Sequence, residues 1–151
     1  MKTLIGGLLA AVSLFSIQSY AALGGDAASV EADGARMKAQ GQVTQASSYT
    51  LHELTSENGT VVREYLSSDG KVFAVAWQGP FLPDMQQLLG SYFDQYSSAV
   101  KANKQSYVGR HPLNLQLPGL VIQSSGYMRA RHFRAYIPER VPVGVKEAEL
   151  R

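Results

Sequence analysis

The residues best placed for chemistry in this sequence are two glutamates, Glu53 and Glu64, on either side of a tight turn. Closing Asn58-Gly59 as a two-residue turn sets Glu53 directly opposite Glu64 on paired strands. Counting on through Asp69-Gly70 lays Glu64 beside Val75, between the pairs Leu66–Phe73 and Val62–Trp77. Two carboxylates on one apolar face would raise the pKa of at least one of them, the condition for acid–base work at neutral pH. A bulge, a longer loop, or pairing of Glu64 with Arg63 or an arginine from the C-terminal half would each dissolve the pair.

The other catalytic vocabulary is sparse. His52, His111 and His132 fall in separate segments without the helical spacing that gathers metal ligands, so three separate histidines are expected and no metal site. Serines are plentiful, but none sits in a Gly-x-Ser-x-Gly elbow, and Ser124-Ser125-Gly126 reads as a turn. With 0 cysteines, thiol nucleophiles, thiolate metal sites and redox chemistry are excluded. No cofactor is implied.

A second constellation is cationic. Tyr127, Arg129, Arg131, Phe133, Arg134 and Tyr136 interleave guanidinium and aromatic groups along one stretch, with Arg129 and Arg131 on one face if the stretch is a strand. The net charge of +2 says little by itself, but its distribution does. Residues 22–100 carry four basic and nine acidic side chains, whereas Lys101 to Arg140 carry seven basic against Glu139 alone. Two readings remain open: a surface for an anionic partner, with Tyr127, Arg129, Arg131 and Phe133 as its contacts, or a basic segment that pairs with the acidic one inside the domain. Nucleic acid is not expected.

These residues must be positioned by a small fold. Lys2, the apolar uncharged run Leu4 to Ile17, and small Ser19 and Ala21 make the three parts of a secretory signal, cut between Ala21 and Ala22. The run falls short of the roughly 20 residues needed to span hydrocarbon as a helix. An exported chain, periplasmic or secreted, without a transmembrane segment after cleavage is therefore expected. Residues 22–48, rich in Ala, Gly, Gln and Ser, read as a flexible N-terminal arm with a helical turn or two near Glu31 to Lys38. Residues 49–138 read as the ordered domain and 139–151 as a tail.

Inside the domain, Tyr49–Glu57, Thr60–Ser67 and Lys71–Gln78 are β-rich runs joined at Asn58-Gly59 and Asp69-Gly70, which predicts an antiparallel meander. Asp84 stands at an N-cap position after Pro83. From Met85 to Val100, apolar residues recur at helical spacing, predicting one amphipathic helix of about 18 residues. Leu113 to Ser124, interrupted by Pro118-Gly119, and Tyr127 to Ile137 are two further strands. The predicted fold class is α+β: a three-stranded meander, one helix and two more strands, forming one sheet with the helix on one face.

Several segments together carry a resemblance: Ala22 to Gly25, Asn58 to Tyr65, Asp69 to Pro80, Pro83-Asp84, Leu88 to Phe93 and Gln123 to Arg129. In these the sequence resembles the exported proteins of Gram-negative bacteria grouped as domain of unknown function 2844. The resemblance implies export and a single domain, and it implies no activity. The expected function is a non-catalytic binding module of the cell envelope, whose partner is an envelope protein or an anionic envelope ligand. The alternatives are a small envelope hydrolase using scattered carboxylates or histidines, and a self-associating structural protein.

Overall fold

The computed structural model describes residues 23–102 and 112–151. The expected cleavage site at Ala21 and Ala22, and His111, lie outside the described residues. In chain order the elements are α1 (Ala27–Met37), β1 (Gln40–Gln45), β2 (Thr50–Thr55), β3 (Val61–Leu66), β4 (Val72–Gly79), α2 (Met85–Leu89), α3 (Phe93–Ala102), β5 (Leu113–Leu117), β6 (Leu120–Tyr127) and β7 (Ala130–Tyr136). The class is α+β, built on one open antiparallel sheet of seven strands in the order β1-β2-β3-β4-β7-β6-β5.

Seven strands replace the expected five for two physical reasons. Pro118-Gly119 is a hairpin turn and not an interruption: Leu117 pairs with Leu120, with Gly119 at φ 68, so one expected run folds back as β5 and β6. The other addition is β1, which lies with α1 in the segment expected to be a loose arm. All six β1 residues are exposed, so it lacks the alternation that marks a half-buried strand. α1 begins at Asp26, whose side chain caps the Ser29 N–H, while Ser29 Oγ accepts from the Asp26 N–H.

The expected single helix is divided. Gly90 takes φ 50 and ψ −122, a conformation open to glycine, and a short 3-10 turn over Gly90–Tyr92 separates α2 from α3. Asp84 caps α2 as expected, its Oδ1 accepting from the N–H groups of Gln86 and Gln87 at 2.9 and 3.1 Å.

The core has two layers. On one face of the sheet, Val30 of α1 and Leu88, Leu89 and Tyr96 of α2 and α3 pack over Val62, Val75, Trp77, Ile122 and Phe133. On the other, Tyr65, Phe73, Ala74, Ala76 and Tyr136 are roofed by Leu150 of the C-terminal segment. Coverage on both faces explains why β4 reads as the unbroken apolar run Val72 to Trp77. The segments expected as arm and tail are tied to this frame. Leu23 N–H donates to the Leu88 carbonyl at 3.0 Å and Gly24 N–H to that of Val72 at 2.8 Å. The Arg151 N–H donates to the Tyr65 hydroxyl at 3.1 Å.

Candidate functional site

The register of β2 on β3 decides which carboxylates meet. Asn58-Gly59 does not close a two-residue turn. Ser56 N–H donates to the Thr60 carbonyl at 2.9 Å, leaving Glu57, Asn58 and Gly59 as a three-residue loop with Gly59 at φ 83. The pairing slips by one residue from expectation, and a slip of one exchanges faces. Glu53 therefore faces Arg63, not Glu64, and the Arg63 Nε donates to Glu53 Oε2 at 2.6 Å. The expected Glu53–Glu64 pair does not exist.

Glu64 instead faces His52 on β2 and Val75 on β4, the latter as expected. The Val62–Trp77 pair also holds, but Leu66 meets Val72 in place of Phe73, because a bulge intervenes between Tyr65 and Leu66. Phe73 is the extra residue and packs with Tyr65 on the opposite face.

A buried acid pair nonetheless exists, with a different partner. Glu64 is 0 % exposed, and neither of its carboxyl oxygens has a hydrogen-bond partner among the described residues. Asp33 of α1 is also 0 % exposed; its Oδ1 accepts from the Gln87 side chain of α2, and its Oδ2 has no partner among the described residues. Burial, reinforced by the negative charge of Asp33, pushes Glu64 up to about 8. Burial also raises Asp33 to about 6, against the pull of the Gln87 hydrogen bond and of Arg36, whose Nη1 lies 4.0 Å away. Half-buried His52 is held below its ordinary value by burial, an effect that Glu31 of α1 opposes. At neutral pH this places a protonated Glu64 against a charged Asp33. The pair is sealed between α1 and the sheet.

Asp33 escaped sequence reasoning although a signal existed. Val30, Asp33 and Met37 stand at the spacing of one helical face, with an acid in an inward slot. An acid within an apolar stripe weakens the periodicity by which a helix is recognised, while marking a buried polar group.

The cationic stretch is placed differently from its expectation. Phe133 is 3 % exposed, stacked on Trp77 and edge-on to Tyr96, so its ring is core and not contact surface. Tyr127 pairs with Ala130 at the end of the β6–β7 hairpin; Met128 (φ 53) and Arg129 form its exposed tip. Arg129 therefore lies in a turn and not in strand alternation with half-buried Arg131, which pairs with Gly126 and Gly79.

The basic segment is largely unpaired. Among the described residues its one ion pair is Arg140–Asp69, at 3.9 Å between exposed groups, and Arg129, Arg131 and Arg134 have no carboxylate partner. Arg134 is held by its surroundings: Nε donates to Gln123 Oε1 at 2.6 Å and Nη1 donates to the Glu147 carbonyl. Arg134 also lines an open cleft of about 380 Å³ over the β5–β6–β7 end of the sheet, with Asn114, Gln123, Ser125, His132 and Arg151. Sequence reasoning placed Arg134 in the cationic stretch but named Tyr127, Arg129, Arg131 and Phe133 as its contacts, because only the β7–β6–β5 order sets Arg134 and His132 beside Gln123 and Asn114.

A family model described as Protein of unknown function (DUF2844) matches residues 19–150. The chain belongs to this family. The match takes in every described strand and helix, so the acid pair and the cleft both lie within the DUF2844 region. No curated protein and no solved structure matches the chain. No helix among the described residues is long and apolar enough to cross a membrane.

Proposed function

We propose that this DUF2844 chain is an exported protein of the cell envelope, periplasmic or secreted, that binds a partner and does not catalyse a reaction. The observation that carries the reading is the contrast between its two polar sites. The two raised carboxyl groups, Glu64 and Asp33, are completely buried, whereas the cleft lined by Arg134 and His132 is open. A catalytic acid must reach its substrate within hydrogen-bond distance. A binding surface needs only an accessible concavity with a few fixed polar groups, which this cleft provides. Export rests on the charged, apolar and small-residue parts of residues 1–21.

The hydrolase alternative draws on the raised carboxyls of Glu64 and Asp33. It requires α1 to lift from the sheet before either could act.

Photo-cross-linking in the exporting host tests the reading. A cross-linkable residue at exposed His132 is expected to give a discrete adduct, whereas one at exposed Gln42, on the far edge strand, gives none. The cross-linked chain is expected to carry the mass of residues 22–151. Equal labelling from both positions would defeat the binding surface, and retention of residues 1–21 would defeat export.

A further inference from the structure

We propose that the cleft over β5, β6 and β7 is a site for a small organic oxyanion, a carboxylate or phosphate carried on an apolar group, with Arg134 as its anchor. The inference rests on the binding reading above and names the ligand class.

The chemistry of the wall is one-sided. Among the described residues, its charged and titratable side chains are Arg134, Arg151 and His132, its neutral polar ones are Asn114, Gln123, Ser124 and Ser125, and no Asp or Glu side chain lines it. Of the apolar residues along it, Pro112 is exposed, whereas Leu113, Phe133 and Leu150 are buried. A concavity of about 380 Å³ is within the range of small-molecule sites. A wall rich in N–H and O–H donors, with two guanidinium groups and no side-chain carboxylate, favours an anion and disfavours a cation.

Arg134 is prepared for this role. A guanidinium carries five N–H donors, and two hydrogen bonds are made here, to Gln123 Oε1 and to the Glu147 carbonyl. Both acceptors are neutral. They fix the plane of the fork without neutralising its charge, leaving three N–H groups for a ligand. The Glu147 carboxylate acts on the Tyr136 hydroxyl, and among the described residues Arg134 forms no ion pair. A held, uncompensated guanidinium loses little freedom on binding, which is how preorganisation raises affinity.

The β6–β7 register brings the remaining groups together. Ser125 pairs with His132 and Gln123 with Arg134, so these four residues form two adjacent cross-strand rows. Ser125 and His132 are exposed, and Arg134 is half-buried.

The test is a titration of the residue 22–151 chain with phenyl phosphate, followed by amide and arginine Nε–H resonances in NMR, with benzyl alcohol as the neutral counterpart. Phenyl phosphate is expected to shift Arg134, His132 and Ser125 saturably, and benzyl alcohol is expected to leave them in place. Arg134→Gln should weaken binding roughly tenfold or more, as befits loss of a charged hydrogen-bond donor. Because Arg134 also ties down the C-terminal segment, Ser125→Asp serves as a second variant: it puts a carboxylate at an exposed position in the wall and should abolish phenyl phosphate binding with the spectrum otherwise unchanged. Vesicles of phosphatidylglycerol separate two sources of the same chemistry. Binding to them that is lost in Ser125→Asp assigns the oxyanion to a lipid headgroup, and phenyl phosphate binding without vesicle binding assigns it to a free solute. Equal affinity for benzyl alcohol, or phenyl phosphate binding that survives Ser125→Asp, would overturn the oxyanion site. Either result would leave a cross-link from His132 standing, so failure of this inference is distinguishable from failure of the binding reading.

Discussion

Asp33 on α1 and Glu64 on β3 are both fully buried, and that burial, reinforced by the charge of Asp33, holds the proton on Glu64. The pair joins the helix to the sheet through groups whose protonation differs between the folded and unfolded chain. Glu64 is raised from 4.5 to about 8, so the folded state keeps a proton that the unfolded chain releases. Stability therefore falls as pH rises from about 4.5 to about 8, and Asp33 adds the same sign between 3.8 and about 6. Each such group contributes a slope of at most about 1.4 kcal/mol per pH unit. Thermal unfolding followed by circular dichroism should show the midpoint dropping between pH 6 and 8. In Glu64→Gln that drop should vanish, while the part below pH 6 remains. An unchanged slope above pH 6 in the variant would show that Glu64 does not titrate there.

Replacing Glu64 by an apolar residue of similar length separates the cost of the carboxyl from its titration. Neither oxygen has a partner, so Glu64→Met removes two desolvated polar atoms and adds dispersion contacts among Val62, Leu66 and Val75. An unsatisfied buried polar group costs about 1–3 kcal/mol. Glu64→Met is expected to stabilise the chain by about that amount at pH 7.5 in urea unfolding. Destabilisation would mean that the carboxyl is satisfied within the fold.

The same region shows what the sequence could and could not convey. The β2–β3–β4 meander was legible because Asn58-Gly59 and Asp69-Gly70 punctuate β-rich runs, and both turns are where they were expected. The register was not, because Asn-Gly serves a three-residue loop as well as a two-residue one, and one residue decides whether Glu64 meets Glu53 or His52. At Asp69-Gly70 the loop is also of three residues, with Ser67 N–H donating to the Lys71 carbonyl, but the Phe73 bulge restores the expected register. α1 was obscured by the small and polar residues between Val30 and Met37, and β1 by complete exposure. The cleft was the least legible feature, since it depends on β7 inserting between β4 and β6.

The C-terminal segment acts as a roof and not as a loose end. Leu150 is fully buried against the second face, and the Tyr65 hydroxyl lies 3.1 Å from the Arg151 carbonyl as well as from its N–H. Leu150→Ala should cost about 2–5 kcal/mol, the range for truncating a buried leucine, and Tyr65→Phe about 1 kcal/mol. Both should increase cleavage of the segment by carboxypeptidase, with Leu150→Ala the larger effect. Equal resistance of all three chains would show that the roof is not held by these contacts.

Glycines in the hairpins that frame the cleft differ in what they tolerate. Gly119, between β5 and β6, has φ 68, and a Cβ there would meet nothing within 4 Å. Gly119→Ala therefore carries only the backbone penalty of the left-handed region, on the order of 1 kcal/mol. Gly126, near the end of β6, has φ 106, and a Cβ would fall 2.0 Å from the Ala130 carbonyl oxygen and 2.9 Å from the Arg131 Cα. These are backbone atoms of the paired strand, so no side-chain rotation relieves the clash. The hairpin must open, and with it the Ser125–His132 row on the cleft wall. Gly126→Ala is expected to destabilise by roughly 3 kcal/mol or more, combining strain with lost pairing. Hydrogen exchange should place the damage: amide protection is lost in residues 124–133 in Gly126→Ala and kept there in Gly119→Ala. Similar protection in the two variants would mean that the β6–β7 hairpin does not bring the Ala130 carbonyl against Gly126.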